Sequence, residues 1–454
     1  MSQPWLHPLK ALITATHTID TVHRAAELGV NASVNGIDFG TLRDYRLRVV
    51  KTMVGGLAGL LAHRGITVFR ANAAFHADET APATSNHIVH LVPSPDQSDI
   101  LTYHKADVPE PSGPTMDLTA TNIVIATGAK PRPLPGNPFA GALIDSTQAL
   151  EVNEFPSSAV IIGAGAIALE FASMWNAAGS KVTLLIRKDR VLSAWDRRAG
   201  TTLTRELKRH GVNIITRASV THVDTGANLG ATVHYTREGQ DGEQSVWGEI
   251  ALVAIGRDPI TDPAWGVTID DHGHVATDAY GRTDKPGVWA VGDVTAGHAL
   301  AHRAFEQGIV IAETIAGLNP KPVDEATVPQ IVFSFPEAAS VGLTVEQAQA
   351  REDLIEIKET NYPMLANARM LMSGTAGSLT IVSGCDAANP DTPRVLGVHM
   401  VSQMASDIIA EAEQLVGNHV PLADAARLVH PHPTFSETLG EALLKADGRP
   451  LHTR

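Results

Sequence analysis

Apolar and polar positions follow two different periods along this chain, and the switches between them divide it. ALITATHTIDTVHRAAELGV spaces its apolar residues three and four apart, which predicts a helix capped near Gly29, and LRVVKTMVGGLAGLLAHRG predicts a second that stops at Gly65. Before Lys10 no period is legible. ITVFRA follows as a strand, and from Glu79 to Ala120 brief alternating runs such as NHIVHLV, set between Pro, Ser and Asp, predict a small antiparallel patch. TNIVIATGAKPRPLPG reads as a buried strand that breaks at Gly128. SAVIIGAGAIALEFASMWNAAGSKVTLLIRKDRVL then runs strand, glycine turn, helix, turn at Gly179, strand. EIALVAIGRDP is another buried strand, and TDKPGVWAVGDVTAGHALAHRAFEQG a strand ending at Gly292-Asp293 before a helix. GSLTIV and RVLGVHMV predict hairpin-like strands, and ASDIIAEAEQLV a helix. Strands alternating with helices predict an α/β fold with doubly wound sheets, and nothing repeats at a solenoid period.

Length turns this pattern into several domains, since 454 residues exceed what one core usually organises. A formal net charge of -14 repels phosphate backbones and anionic lipid surfaces, and no basic patch offsets it, so neither nucleic acid nor membrane is expected as a partner. The most apolar long window, SAVIIGAGAIALEFASMW, contains Glu170 and a glycine cluster and reads as a buried strand turning into a helix rather than a membrane span. The start has no basic stretch leading into an apolar core, so a cytoplasmic location is expected. Cys385 is the single cysteine and cannot form a disulfide within the chain; it is expected as a small half-buried side chain in a turn beside Gly384.

The most specific chemistry lies at Gly163-x-Gly165-x-x-Ala168. Between an apolar strand and an amphipathic helix, the first glycine permits the tight turn and the second lets the backbone approach a pyrophosphate. The small third residue lets helix and strand pack closely. The phosphates would sit on the helix N-terminus, where unpaired amides and the dipole favour anions. At the end of the next strand an acid would suit the ribose hydroxyls of NAD, but Arg187 and Lys188 stand there, which suit a 2'-phosphate and tilt the expectation toward NADP.

Taken in order, ATG at Ala126 to Gly128, GAGAIALE, AIGR, AVGD, VFSFPEAASVGLT and HPHPTFSE resemble the motifs of the flavin-dependent, class I pyridine nucleotide-disulfide oxidoreductase family, most closely its dihydrolipoyl dehydrogenase branch. The resemblance runs from Lys10 to the C-terminal region. It implies FAD and NAD(P) as cofactors, with Asp293, after Gly292, on the flavin ribityl chain and Thr127 and Gly128 along the FAD site. It further implies Gly163, Gly165, Ala168 and Glu170 in the nicotinamide nucleotide site, Gly256 covering that cofactor, and Lys10 paired with Glu170 beside the flavin. His432 and Glu437 match the family's catalytic pair, which serves the partner subunit's site, so a homodimer acting on a disulfide or lipoyl substrate, a lipoyl-bearing complex included, is implied. Independently, a His held by a carboxylate has its tautomer set and its imidazolium stabilised, which suits proton exchange with a dithiol. His430 and His432 could instead be metal ligands, but no Cys or acid at a suitable spacing completes a site there, and no metal is expected. His430 is expected to serve packing.

Two Rossmann-like nucleotide-binding domains and a C-terminal α+β dimerisation domain are therefore expected. The FAD domain would occupy 1–149 and 265–326, the NAD(P) domain 150–264 and the dimerisation domain 327–454. Members of the family open with a strand, a Gly-x-Gly-x-x-Gly turn and a Cys-x4-Cys pair before Ile/Val-Pro-Ser-Lys. Here only Pro8 and Lys10 match, with Leu6 where the second Cys would stand. Back-translating Met1 to Leu9 with permitted codons and reading one nucleotide forward yields Cys-Leu-Asn-Arg-Gly-Cys-Ile-Pro, and Trp5, with its single codon, forces the Gly. The start is accordingly expected to be a frameshifted remnant lacking the FAD strand and the redox pair, with weakened flavin binding and no disulfide exchange in the chain as written. The alternatives are another disulfide reductase or transhydrogenase-like flavoprotein, or a noncatalytic nucleotide-binding dimer.

Overall fold

A computed structural model describes residues 6–75, 87–104, 110–226 and 230–453, with Leu6 known by its backbone. Met1 to Trp5, most of the proposed remnant, lie outside them, as do parts of the expected antiparallel patch. The chain gathers into two units. One takes Gly40–Lys130 and Arg257–Glu325 together with the start through Ala11, and the other takes Leu12–Phe39, Pro131–Gly256 and Ala326–Arg454. No helix among the described residues is long and apolar enough to cross a membrane.

The second unit contains a five-stranded parallel sheet, ordered Asn213–Thr216, Lys181–Ile186, Ser158–Ile162, Ile250–Val253, Leu143–Ile144. Both faces of a parallel sheet are covered, which is why these strands read as unbroken apolar runs instead of alternating ones. Val160, Ile162, Leu185, Ala251 and Val253 share one core. Winding reverses between Ser158–Ile162 and Ile250–Val253, and a crevice opens beyond the strand ends at such a reversal. The sequence pattern did not separate out the antiparallel meander Ala218–Asp224, Ala231–Arg237, Gln244–Gly248, which packs Ala218, Val233 and Tyr235 onto the same core.

The C-terminal part of this unit is a five-stranded antiparallel sheet, ordered Gln330–Val332, Glu337–Gly342, Asn389–Ser402, Ser378–Asp386, Leu354–Pro363. Helices Ala405–Gly417 and Glu437–Ala446 cover it through Ile408, Ile409, Ala412, Leu439 and Leu443. The turn expected at Cys385 is absent: Gly384 and Cys385 continue the strand Ser378–Asp386, Cys385 pairs with Ile355, and it is fully buried. Strands on both sides supply ladder partners, and this overrides the local preference of Gly384 for a turn.

In the first unit, Ile123–Ile125 pairs in parallel with Val288–Ala290, and Ile125, Val288, Ala290 and Val294 form a core with Trp265, Val267 and Val275. Phe75 stacks on Trp265 at 5.9 Å. Asn72–Phe75, His87–Val92 and Met116–Ala120 form the antiparallel patch. Helix Phe39–His63 includes Gly55, Gly56 and Gly59; its one buried residue is Arg46, whereas Leu47, Met53, Val54, Leu57 and Leu60 are exposed. The first helix begins at Leu6, earlier than the pattern predicts, because Pro8 in its first turn sacrifices only an amide that would have no helical partner. It runs to Arg24 and closes through a 3-10 turn on Gly29, whose left-handed φ of 76° makes the expected cap.

Candidate active site

Gly163 ends the central strand with φ at +140°, and a Cβ there would lie 2.2 Å from the Ala254 carbonyl oxygen, so only glycine permits the strand to turn this close to its neighbour. Ala254 is itself held by a hydrogen bond that its N–H donates to Ile162 O at 2.8 Å. Gly165, the residue capping the helix Ala166–Ala177, is exposed in ordinary extended backbone, and a Cβ on it would meet nothing within 4 Å. Helix and strand approach because Ala168 is small and fully buried. An open helix N-terminus beside a bare glycine fits a nucleotide pyrophosphate, whose oxygens would take the amides of the first turn. Gly256, φ +134°, lies beyond the adjacent strand, its carbonyl accepting from Arg132 N at 3.1 Å. Arg187 and Lys188 are exposed at the end of strand Lys181–Ile186, and Asp189 beside them is engaged by Arg190 at 3.2 Å and Arg197 at 3.9 Å.

Glu170 is buried on the same helix, and its carboxylate accepts from Phe333 N at 3.0 Å. Ser173, one turn on, accepts from Phe335 N at 2.9 Å, so this helix anchors the segment that opens the C-terminal sheet. Lys10 lies half-buried in the first helix.

In the first unit, the Thr127 hydroxyl donates to Ile260 O at 2.7 Å and Gly128 O accepts from Ile260 N at 2.9 Å, which holds the loop after Ile123–Ile125 beside the loop after Arg257. Gly292, φ +77°, donates its amide to Gln307 at 2.9 Å. Burial raises the Asp293 carboxyl above the usual range, and the nearby Arg257 and Arg303 guanidinium groups pull it back. A half-buried acid between loop glycines and two arginines suits a polyhydroxyl chain such as the ribityl of FAD. The Gly-x-Gly-x-x-Ala cradle for a pyrophosphate occurs once in these 454 residues, at Gly163.

The two residues that the motif resemblance pairs at the C-terminus meet in the structure. His432 Nδ1 lies 2.8 Å from Glu437 Oε2, with the imidazole largely exposed and the carboxylate mostly covered. Glu437 opens the helix Glu437–Ala446, where the dipole favours its charge. The residue that anchors Glu437 lies seventy positions earlier in the chain. Asn367, buried at 3 % exposure, donates from Nδ2 to Glu437 Oε1 at 2.8 Å and to Thr434 O at 3.0 Å while its own oxygen caps the Ala368–Ser373 helix. The local cue was Asn before a short helical run, which reveals a cap but not its second partner. Burial, with the charges of Glu441 and Glu437, pushes the Tyr362 phenol up to about 12, so it stays protonated beside the pair. His430 is separately engaged, Nε2 to Glu411 at 2.9 Å; that bond raises its pKa, against the opposing pull of burial. Its ring also packs on the dyad helix so closely that a Cβ at Gly440 would fall 2.4 Å from Nδ1.

A bare glycine turn at a sheet reversal and an imidazole steered by a carboxylate are equipment for nucleotide-dependent transfer of electrons and protons, the work of a dinucleotide-using oxidoreductase. The chain belongs to the pyridine nucleotide-disulphide oxidoreductase family: that model matches residues 7–308, and the family's dimerisation-domain model matches 328–443. The family uses FAD and NAD(P), and the dimerisation domain makes the chain a dimer-forming one. It is 31% identical over 450 residues to dihydrolipoyl dehydrogenase of Geobacillus stearothermophilus, covering 98% of this chain and 88% of that protein. It is 38% identical over 341 residues to dihydrolipoyl dehydrogenase of Cupriavidus necator, covering 74% and 70%. The crystal structure of LpdA from Mycobacterium tuberculosis shares the fold, with a TM-score of 0.81 at 24% identity over 97% of this chain and 90% of that one.

Proposed function

We propose that this protein passes two electrons between a dihydrolipoyl dithiol, or its disulfide, and NAD(P) by way of FAD, as a cytoplasmic homodimer. The observation that carries the reading is the His432–Glu437 pair, anchored by Asn367, in a chain that aligns almost end to end with dihydrolipoyl dehydrogenases. With Nδ1 held by Glu437, the Nε2 of His432 takes a proton as the dithiol closes to a disulfide and returns it in the reverse direction. FAD, when bound, supplies the relay between thiol chemistry and hydride transfer.

In this reading residues 1–149 and 265–326 form the FAD domain, where Thr127, Gly128, Gly292 and Asp293 line the flavin. Residues 150–264 hold the nucleotide through Gly163, Gly165, Ala168, Glu170 and Gly256, with Arg187 and Lys188 favouring the 2'-phosphate of NADP. Residues 327–454 build the dimer, in which His432 serves the partner's site. Exposed Leu365, Leu371, Met372, Leu428 and Val429 on this part support a covered apolar face.

Disulfide exchange needs a pair of thiols, and buried Cys385 is the one cysteine among these residues. The test therefore compares the 454-residue chain with one in which a strand with a Gly-x-Gly-x-x-Gly turn and then Cys-Leu-Asn-Arg-Gly-Cys-Ile-Pro-Ser stand ahead of Lys10, so that both the flavin cradle and the thiol pair are supplied. NAD(P)H should turn over lipoamide with the second and not with the first. Equal turnover by both would remove the dithiol relay from the reading, preference for another disulfide would make it a different reductase, and a colourless product without flavin would make it a noncatalytic nucleotide-binding dimer.

A further inference from the structure

We propose that the meander of the nucleotide fold carries a divalent transition-metal site built from His222, Asp224 and His234. His222 and Asp224 stand two apart on strand Ala218–Asp224, so their side chains share a face. The antiparallel register sets His234 directly opposite His222, just past a bulge between Val220 and His222. The two rings stack at 4.1 Å and 7°. Both then present Nε2 to one carboxylate oxygen, Asp224 Oδ2, at 3.1 Å from His234 and 3.9 Å from His222. One ligand atom from each residue falls within 4.8 Å of the others.

Zinc bonded to nitrogen and oxygen at about 2.0–2.2 Å in tetrahedral array holds its ligand atoms roughly 3.3 Å apart. His234 is already at that spacing from Asp224 at 3.1 Å, His222 at 3.9 Å is just beyond it, and with no pair more than 4.8 Å apart the donors need to close by at most about 1.5 Å to share one ion. Behind the rings Glu243 lies 3.8 Å from Nδ1 of His222 and 3.6 Å from Nδ1 of His234, and Thr221 donates to its Oε1 at 2.6 Å. Glu243 stands beyond hydrogen-bond distance of both rings, but its charge on the Nδ1 side favours a proton there and leaves Nε2 to ligate, the side on which outer carboxylates orient imidazoles on zinc. Other histidine–carboxylate pairs among the described residues, such as His90–Asp117 at 2.6 Å, His274–Asp270 at 3.3 Å and His452–Glu441 at 2.8 Å, bring one imidazole to one acid. At the meander two imidazoles share one carboxylate, with a second acid behind them. The two carboxylates bring a negative charge that a divalent ion offsets, and the fourth position is left to water.

The experiment titrates zinc chloride into the untagged, EDTA-treated full chain by calorimetry at neutral pH. We expect one ion per chain with micromolar affinity. His234→Ala and Asp224→Asn should each weaken it at least tenfold, and Glu243→Gln should weaken it less. His222→Ala, at a more exposed position, provides a variant with parental circular dichroism and the same loss. His452→Ala should bind as the parent does. No saturable binding, binding retained by both His222→Ala and His234→Ala, or binding lost in His452→Ala would each overturn the proposal.

Discussion

Two glycines two residues apart should respond to the same substitution in opposite ways. Gly163→Ala places a Cβ 2.2 Å from Ala254 O and 2.8 Å from Ala254 C, both backbone, at φ +140°. A residue forced into such a region costs about 1–3 kcal/mol, and overpacking that moves backbone adds about 1–3 more. A loss near 3 kcal/mol or greater lowers Tm by about 6–12 °C for a domain of this size. Gly165→Ala sits at φ -91° with nothing within 4 Å. Its penalty as a helix cap and the gain from a stiffer unfolded chain are each below about 1 kcal/mol and oppose one another, so stability should stay within about 0.5 kcal/mol of the parent. The methyl would instead stand where a phosphate meets the first-turn amides. Losing one charge-assisted hydrogen bond, about 1.5–3 kcal/mol, weakens binding about 10- to 150-fold. Thermal melts give the first quantity and calorimetric titration with NADPH the second. A Gly165→Ala chain that binds NADPH as the parent does, or a Gly163→Ala chain that melts with it, would refute the assignment of turn and cradle.

Reversing the charges of Arg187 and Lys188 to Glu should weaken NADP+ by tenfold or more, with a smaller effect on NAD+, as read by parallel titrations; equal losses would mean these cations do not read the 2'-phosphate. Asn367→Ala leaves Glu437 without its buried donor and removes a cap, which should cost about 1–3 kcal/mol in denaturant melts and lower turnover of the assembled enzyme. Glu411→Gln tests the His430 pair by pH. Because the folded-state pKa of His430 is raised, the pair's contribution is fully present below the ordinary imidazole value and fades as pH climbs through the raised one. The Tm gap between parent and variant should therefore be widest near pH 6 and close on the alkaline side. A gap independent of pH would show that His430 contributes by packing on Gly440 alone.

Local sterics made much of this protein readable from its residues. The turn at Gly163 and Gly165, the buried strands around it and the cap at Gly29 depend on neighbours along the chain, so composition and period reveal them, whereas His432 and Glu437 were legible only through a motif resemblance. The tertiary structure decided what depends on partners far away in sequence. Asn367 reaches Glu437 across seventy positions, Cys385 lies in a strand because two others flank it, and His222 meets His234 only through a register set beside a bulge. A local pattern constrains backbone torsion angles, whereas register and side-chain pairing are settled by the packing of a whole sheet, where slipping one residue would turn every side chain to the opposite face.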